Sequence, residues 1–132
     1  MRDYKAIMDA VIERIKGNCS FDAVAGPLPP NGGLALIASG GSEEKYMDGS
    51  GLLKLPITMY AKAKTQSAAL AMLAEAHTVV EWYAEHGKTW QMTGVCVKRP
   101  PTLMGQDSAG YWIHNSVIEV RAYIHPEVTE NG

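Results

Sequence analysis

Residues 53–63 read Leu53-Lys54-Leu55-Pro56-Ile57-Thr58-Met59-Tyr60-Ala61-Lys62-Ala63. Apolar side chains at 53, 55, 57, 59, 61 and 63 alternate with Lys54, Pro56, Thr58, Tyr60 and Lys62. That period of two is the signature of a strand with one dry face and one wetter face. Pro56 has no N–H to give to a ladder, which predicts an edge position or a bulge there.

Downstream the period changes. Leu70, Leu73, His77, Val80 and Ala84 fall on one helical stripe, widened by Ala69, Ala76 and Tyr83. The spacing predicts a helix capped by Thr65 or Ser67 and ending before Gly87. Its alanines favour helix and permit close packing on a sheet. Two further strands are expected at Thr89–Lys98 and Tyr111–Ile124. In the last one Trp112, Ile118, Val120, Ala122 and Ile124 face one way, and Tyr111, Ile113, Glu119, Arg121 and Tyr123 the other. Between these strands, Pro100-Pro101 is expected to stop regular pairing and Gly105–Gly110 to form a polar turn.

Upstream lies Gly40–Gly51 (GGSEEKYMDGSG), glycine-rich and charged. It reads as the mobile connection of a long hairpin whose tip projects from the body. A strand at Leu34–Ser39 precedes it. Before that, the eight residues 26–33 hold three prolines and three glycines, which forbid regular structure. Phe21–Ala25 is a short apolar piece. At the start, Tyr4, Met8, Val11, Ile12 and Ile15 mark a helix that Asp3 can cap and Gly17 can end.

Helix, strands, helix, strands in that order predicts an α+β fold: a mostly antiparallel sheet of four to five strands with two helices packed on one face. The 132 residues suit one domain, taken here as 1–125, with a frayed tail at 126–132. A chain of this length buries roughly two-thirds of its unfolded surface and needs no disulfide or metal to fold. The formal net charge of −2 and the scattered basic residues do not make the footprint of a nucleic-acid binder, so sequence-specific nucleic-acid binding is not expected. No apolar stretch approaches the ~20 residues of a membrane span, and no targeting segment is visible. Cys19 and Cys96 stand alone, outside any metal-ligand spacing, and read as free thiols.

The sequence offers little chemistry. Gly32-Gly33 and Gly40-Gly41 lack the spacing of phosphate-cradling loops. His77 and Glu81 stand at i, i+4, but zinc needs three or four converging ligands and no HExxH run is present. Glu43-Glu44 lie on a loop, where no shielding raises a carboxyl pKa for acid catalysis. No GxSxG elbow accompanies a nucleophile. No cofactor or metal site is assigned, and an enzyme is not expected. Tyr60 and Tyr123, alternate to the core positions, suit either protein contact or simple surface exposure.

The order of parts carries a resemblance. An amphipathic helix, a Pro/Gly break, a long hairpin and an Ala-rich helix precede two strands that carry Lys98-Arg99-Pro100-Pro101-Thr102-Leu103-Met104-Gly105-Gln106-Asp107 and Gly110-Tyr111-Trp112-Ile113. This layout resembles the minor capsid or tail-terminator (head–tail joining) proteins of long-tailed bacteriophages and prophages. The resemblance extends over nearly the whole chain, in pattern more than in identities. It implies a non-enzymatic virion subunit, assembled in the bacterial host cytoplasm. It also implies a ring, commonly six-fold, at the head-proximal end of the tail, which ends tail-tube polymerisation. The implied partners are further copies of the chain, the tail-tube protein and the head connector. From exposure and mobility, the expected contact residues are Glu43, Glu44, Lys45, Tyr46, Met47 and Asp48 on the first loop. Lys98, Arg99, Gln106 and Asp107 are expected to serve on the second. The alternative is a small ligand-binding or enzymatic domain with a pocket near His77, Trp112 and His114.

Overall fold

The computed structural model describes residues 4–38 and 40–126. The elements run α1 (Tyr4–Asn18), β1 (Ala23–Ala25), β2 (Gly33–Ala38), β3 (Ser42–Lys45), β4 (Gly51–Ala63), α2 (Gln66–Val80), β5 (Trp90–Gln106) and β6 (Trp112–Ile124). They form one six-stranded sheet in the order β1-β2-β4-β6-β5, with β3 also paired to β4. Only the β1–β2 pair is parallel among the described strands. The expected α+β architecture is present.

β4 is the spine. Its Leu53, Leu55, Ile57, Met59 and Ala61 are buried, and the residues between them are not. It pairs along its whole length with β6, from Gly51↔Ile124 to Ala63↔Trp112. On its other flank β2 covers the second half and β3 the first. Pro56 lies at the junction of those two partners. Its Cδ points toward Gly41, where a Cβ would lie only 2.7 Å away. The missing donor thus faces the gap between β2 and β3, so a proline fits a central strand here. Neither the expected edge nor a bulge is found in β4: its register with β6 runs unbroken through Pro56↔Glu119.

Both helices lie on the core face. Ile7, Met8, Val11, Ile12 and Ile15 of α1, and Ala69, Leu73, Ala76 and Val80 of α2, share one apolar cluster with β4, Ile118, Val120 and Met92. Arg14 ties the helices together. Its Nε donates to the Val79 carbonyl at 2.8 Å, and its guanidinium lies 4.9 Å from the Tyr83 ring centroid.

Several local expectations are corrected. The strand count is six, because three residues of β1 join β2 and β3 forms inside the stretch read as a loop. Three-residue and charged four-residue strands have no alternation long enough to read; tertiary pairing creates them. Helix α2 stops at Val80 rather than near Gly87, with Trp82 at φ 63° turning the chain away. Thr65 is its cap, with Oγ1 accepting from the Ala68 amide. Gly17 does not end α1; the Asn18 side chain donates to the Arg14 carbonyl there instead. Asp3 lies outside the described residues. So does the predicted tail apart from Pro126, which lies against Gly49.

Candidate interaction surfaces

The residues singled out from the sequence occupy two diagonally opposite corners of the sheet. Glu43–Asp48 belong to the β3–β4 hairpin at the end where β4 begins and β6 finishes. Lys98–Asp107 belong to β5 and its turn into β6, at the far edge and, by Gln106, the far end.

The first hairpin is more ordered than its composition suggests. Glu43 pairs with Leu53, Glu44 with Leu52 and Lys45 with Gly51, so only residues 46–50 form the turn. The Tyr46 amide donates to the Ser50 carbonyl at 2.9 Å, and the Gly49 amide donates to Tyr46 at 3.1 Å. Asp48 closes the turn by accepting from the Ser50 amide and hydroxyl at 2.9 and 2.6 Å. Those two bonds hold its carboxyl below the usual range. Asp48 therefore shapes the tip as well as charging it. Met47 is fully exposed at the apex and Tyr46 is half exposed beside it.

The second stretch is not a loop. β5 continues to Gln106, with register shifts at 92/94, 97/99, 99/102 and 103/105. Pro100-Pro101 sit in one of those shifts, on a strand paired only on its β6 side at that point. An edge strand leaves their missing donors facing solvent, so the prolines bend the strand without ending it. Asp107 caps the turn. Its Oδ1 accepts from the Ala109 and Tyr111 amides at 3.0 and 2.8 Å, and its Oδ2 lies 2.8 Å from Lys62 Nζ. The Lys62 ammonium, then the turn amides, keep the carboxyl ionised below its ordinary value. Gln106 donates to the Gly110 carbonyl at 2.9 Å. Of the four candidates here, Gln106 and Asp107 are thus engaged in holding the turn.

Lys98 and Arg99 stand at the uncovered face of the sheet. Lys98 Nζ is 3.5 Å and Arg121 Nε 2.8 Å from the carboxylate of Glu119, which is buried. Arg121, then Lys98, lower the Glu119 pKa against the opposing effect of burial. Arg99 donates to the Asn115 amide oxygen at 3.1 Å. Lys54 lies directly opposite Arg121 across the β4–β6 ladder, a like-charge pairing that costs stability on its own. This face carries a basic group of Lys54, Lys98, Arg99 and Arg121 around one acid.

Trp82 lies at the β5 edge. Its amide donates to the Val95 carbonyl at 3.1 Å, and the Met92 amide donates to Glu85 at 2.8 Å. Residues 82–86 therefore shield the first part of that edge. The Trp82 ring itself is 81% exposed. It borders a hollow of about 130 Å³ formed with Thr93, Gly94, Val95, Cys96 and Arg121. The sequence placed Trp82 in a helix. Its isolation from the core was not readable, because no spacing rule reports a left-handed residue after a helix.

The residues of the alternative reading go inward. His77 Nε2 and Ser116 Oγ are 2.7 Å apart beneath α2, with Ser116 fully buried. Burial pushes the His77 pKa down, the Glu81 charge opposing weakly. His114 is buried on the same face of β6, and its Nδ1 has no partner. Trp112 is partly buried. This is a polar inclusion in a packed core rather than an open pocket. The larger hollows lie elsewhere: about 400 Å³ between Tyr4, Glu43, Leu53 and Leu55, and about 260 Å³ at Leu28, Tyr60, Met104 and Ile113. Among the described residues, no three His, Cys, Asp or Glu side chains converge as metal ligands. None of the described helices is long and apolar enough to cross a membrane. Cys19 and Cys96 are free thiols, both partly buried.

No protein-family model and no curated protein matches this sequence. Among solved structures, a chain from "Virion of native gene transfer agent (GTA) particle" is similar, with 16% identity and a TM-score of 0.53. The likeness takes in 91% of this chain and 90% of that one. At that identity the two share a fold.

Proposed function

We propose that this chain is a structural, non-enzymatic subunit of a phage-like virion. In this reading it forms a ring at the head-proximal end of the tail, ends tail-tube polymerisation and joins the tail to the head connector. The observation that supports it most is the fold shared over 91% of this chain with a chain of a gene transfer agent particle. The two unlike edges of the sheet agree with it. The acidic β3–β4 hairpin bounds one edge and the basic β5 region the other. A closed ring needs one surface to meet a different surface on its neighbour. Of the residues of the alternative pocket, His77 is engaged with Ser116 at 2.7 Å within the core.

The test is negative-stain microscopy of the purified chain, alone and with the tail-tube protein of the same particle. Rings that sit on tube ends, and overlong tails when the gene is removed, are the expected results. A chain that never binds tubes, with tails of normal length in its absence, overturns the proposal.

A further inference from the structure

We infer that the Met47 tip of one copy docks against the Trp82 hollow of the next, making a head-to-tail contact between the two edges of the sheet. This rests on the ring reading above and names the surfaces it would use.

Four observations carry it. First, two large apolar side chains have no cover in the single chain: Met47 is fully exposed and Trp82 is 81% exposed. Second, they stand at different edges, Met47 on the β3–β4 hairpin and Trp82 along β5. Two copies joined this way leave one tip and one hollow free, so the contact can repeat. Third, the charges are complementary. The hairpin 43–48 holds Glu43, Glu44 and Asp48 against Lys45 alone, while Arg121 lines the hollow and Lys98 stands beside it. An acidic tip meeting that rim would also offset the like-charge pair Lys54–Arg121. Fourth, Trp82 is held at φ 63°, a conformation costly for a residue with a Cβ. Strain of that kind persists where it serves a function, and Trp, Tyr and Arg are the residues that most often dominate docking energy. The hollow of about 130 Å³ matches the scale of one inserted side chain.

The experiment uses two full-length variants, Met47→Asp and Trp82→Gly. Glycine adopts a left-handed φ without strain, so Trp82→Gly should melt no lower than the parent while losing the ring. Sedimentation of the parent should show concentration-dependent assembly that weakens with salt. Each variant alone should lose about tenfold or more in association constant, as expected for a docking anchor. The two mixed should form a one-to-one dimer and nothing larger, because one intact tip then finds one intact hollow. A parent that stays monomeric at every attainable concentration overturns the inference. So do variants that assemble like the parent, or a mixture that stays monomeric. Rings seen by microscopy with both variants would sink this contact while leaving the proposed function standing.

Discussion

Lys62 and Asp107 meet at 2.8 Å across the end of the sheet, and both are largely shielded from solvent. The pair joins β4 to the turn between β5 and β6, with Tyr111 packed under the lysine at 5.1 Å. The aspartate thus does two jobs, closing its own turn and anchoring that turn to the central strand. Asp107→Ala should lower the melting temperature more than Lys62→Met does, because it also frees two turn amides. Asp107→Asn should recover part of the loss, since its amide oxygen still accepts from the backbone. Thermal melts of the three variants check the order.

The same carboxylate predicts a direction with acid. Its folded pKa lies below its ordinary 3.8, so its stabilisation is complete above that value and fades as pH falls through the folded pKa. Asp107→Asn should flatten the lowest part of the stability–pH curve. Denaturant titrations of parent and variant down the acid range measure it.

His77 acts at higher pH with the same sign. Burial lowers its pKa in the folded chain from 6.5, so below that pH the unfolded chain binds a proton that the folded chain resists. Stability should be full above 6.5 and fall as pH drops toward the folded value. Ser116→Ala leaves His77 Nε2 unpaired in the core and should cost about 1–3 kcal/mol at neutral pH. Chemical denaturation of the parent across that range, and of Ser116→Ala at neutral pH, tests both statements.

Gly41 tests the break beside Pro56. Its φ is +116°, and a Cβ there would collide with the Lys54 carbonyl and the Pro56 ring. Gly40, at φ +75°, has open space around it. Gly41→Ala should therefore destabilise by well over the ~1–2 kcal/mol of left-handed strain that Gly40→Ala incurs. Equal losses in the two variants would refute the steric account.

Thr65→Ala should cost about 1 kcal/mol, because its hydroxyl accepts from the Ala68 amide at the start of α2. Thr65→Ser should retain most of the stability. Urea midpoints compare them.

Much of the body was legible in the residues. The alternation from Leu53 to Ala63, the stripe from Leu73 to Val80 and the two faces of β6 are local patterns tied to burial. The structure buries the alternate residues from Leu53 to Ala61, and Leu73, His77, Val80, Ile118, Val120, Ala122 and Ile124 on those faces. It leaves Leu70 and Ala84 of the helical stripe exposed, and it buries Glu119, which the alternation puts on the outer face of β6. The site was less legible. Glu43 and Glu44 belong to the paired strand β3 and Tyr46 and Met47 to the turn after it, while Asp48, Gln106 and Asp107 proved to be turn-forming residues. An aspartate in a glycine-rich turn looks the same in sequence whether it caps the turn or awaits a partner.

By itself the sequence determined the kind of layers: which segments have a dry face, which have none, and hence a sheet with helices on one side. Burial of apolar area acts through spacing along the chain, and spacing is written in the order of residues. Only the tertiary structure decided the strand order, the pairing of Lys54 with Arg121, the meeting of Lys62 with Asp107 and the outward setting of Trp82. Those depend on which distant segments pair and in what register. A shift of one residue there would leave every local pattern intact while reversing what each face presents.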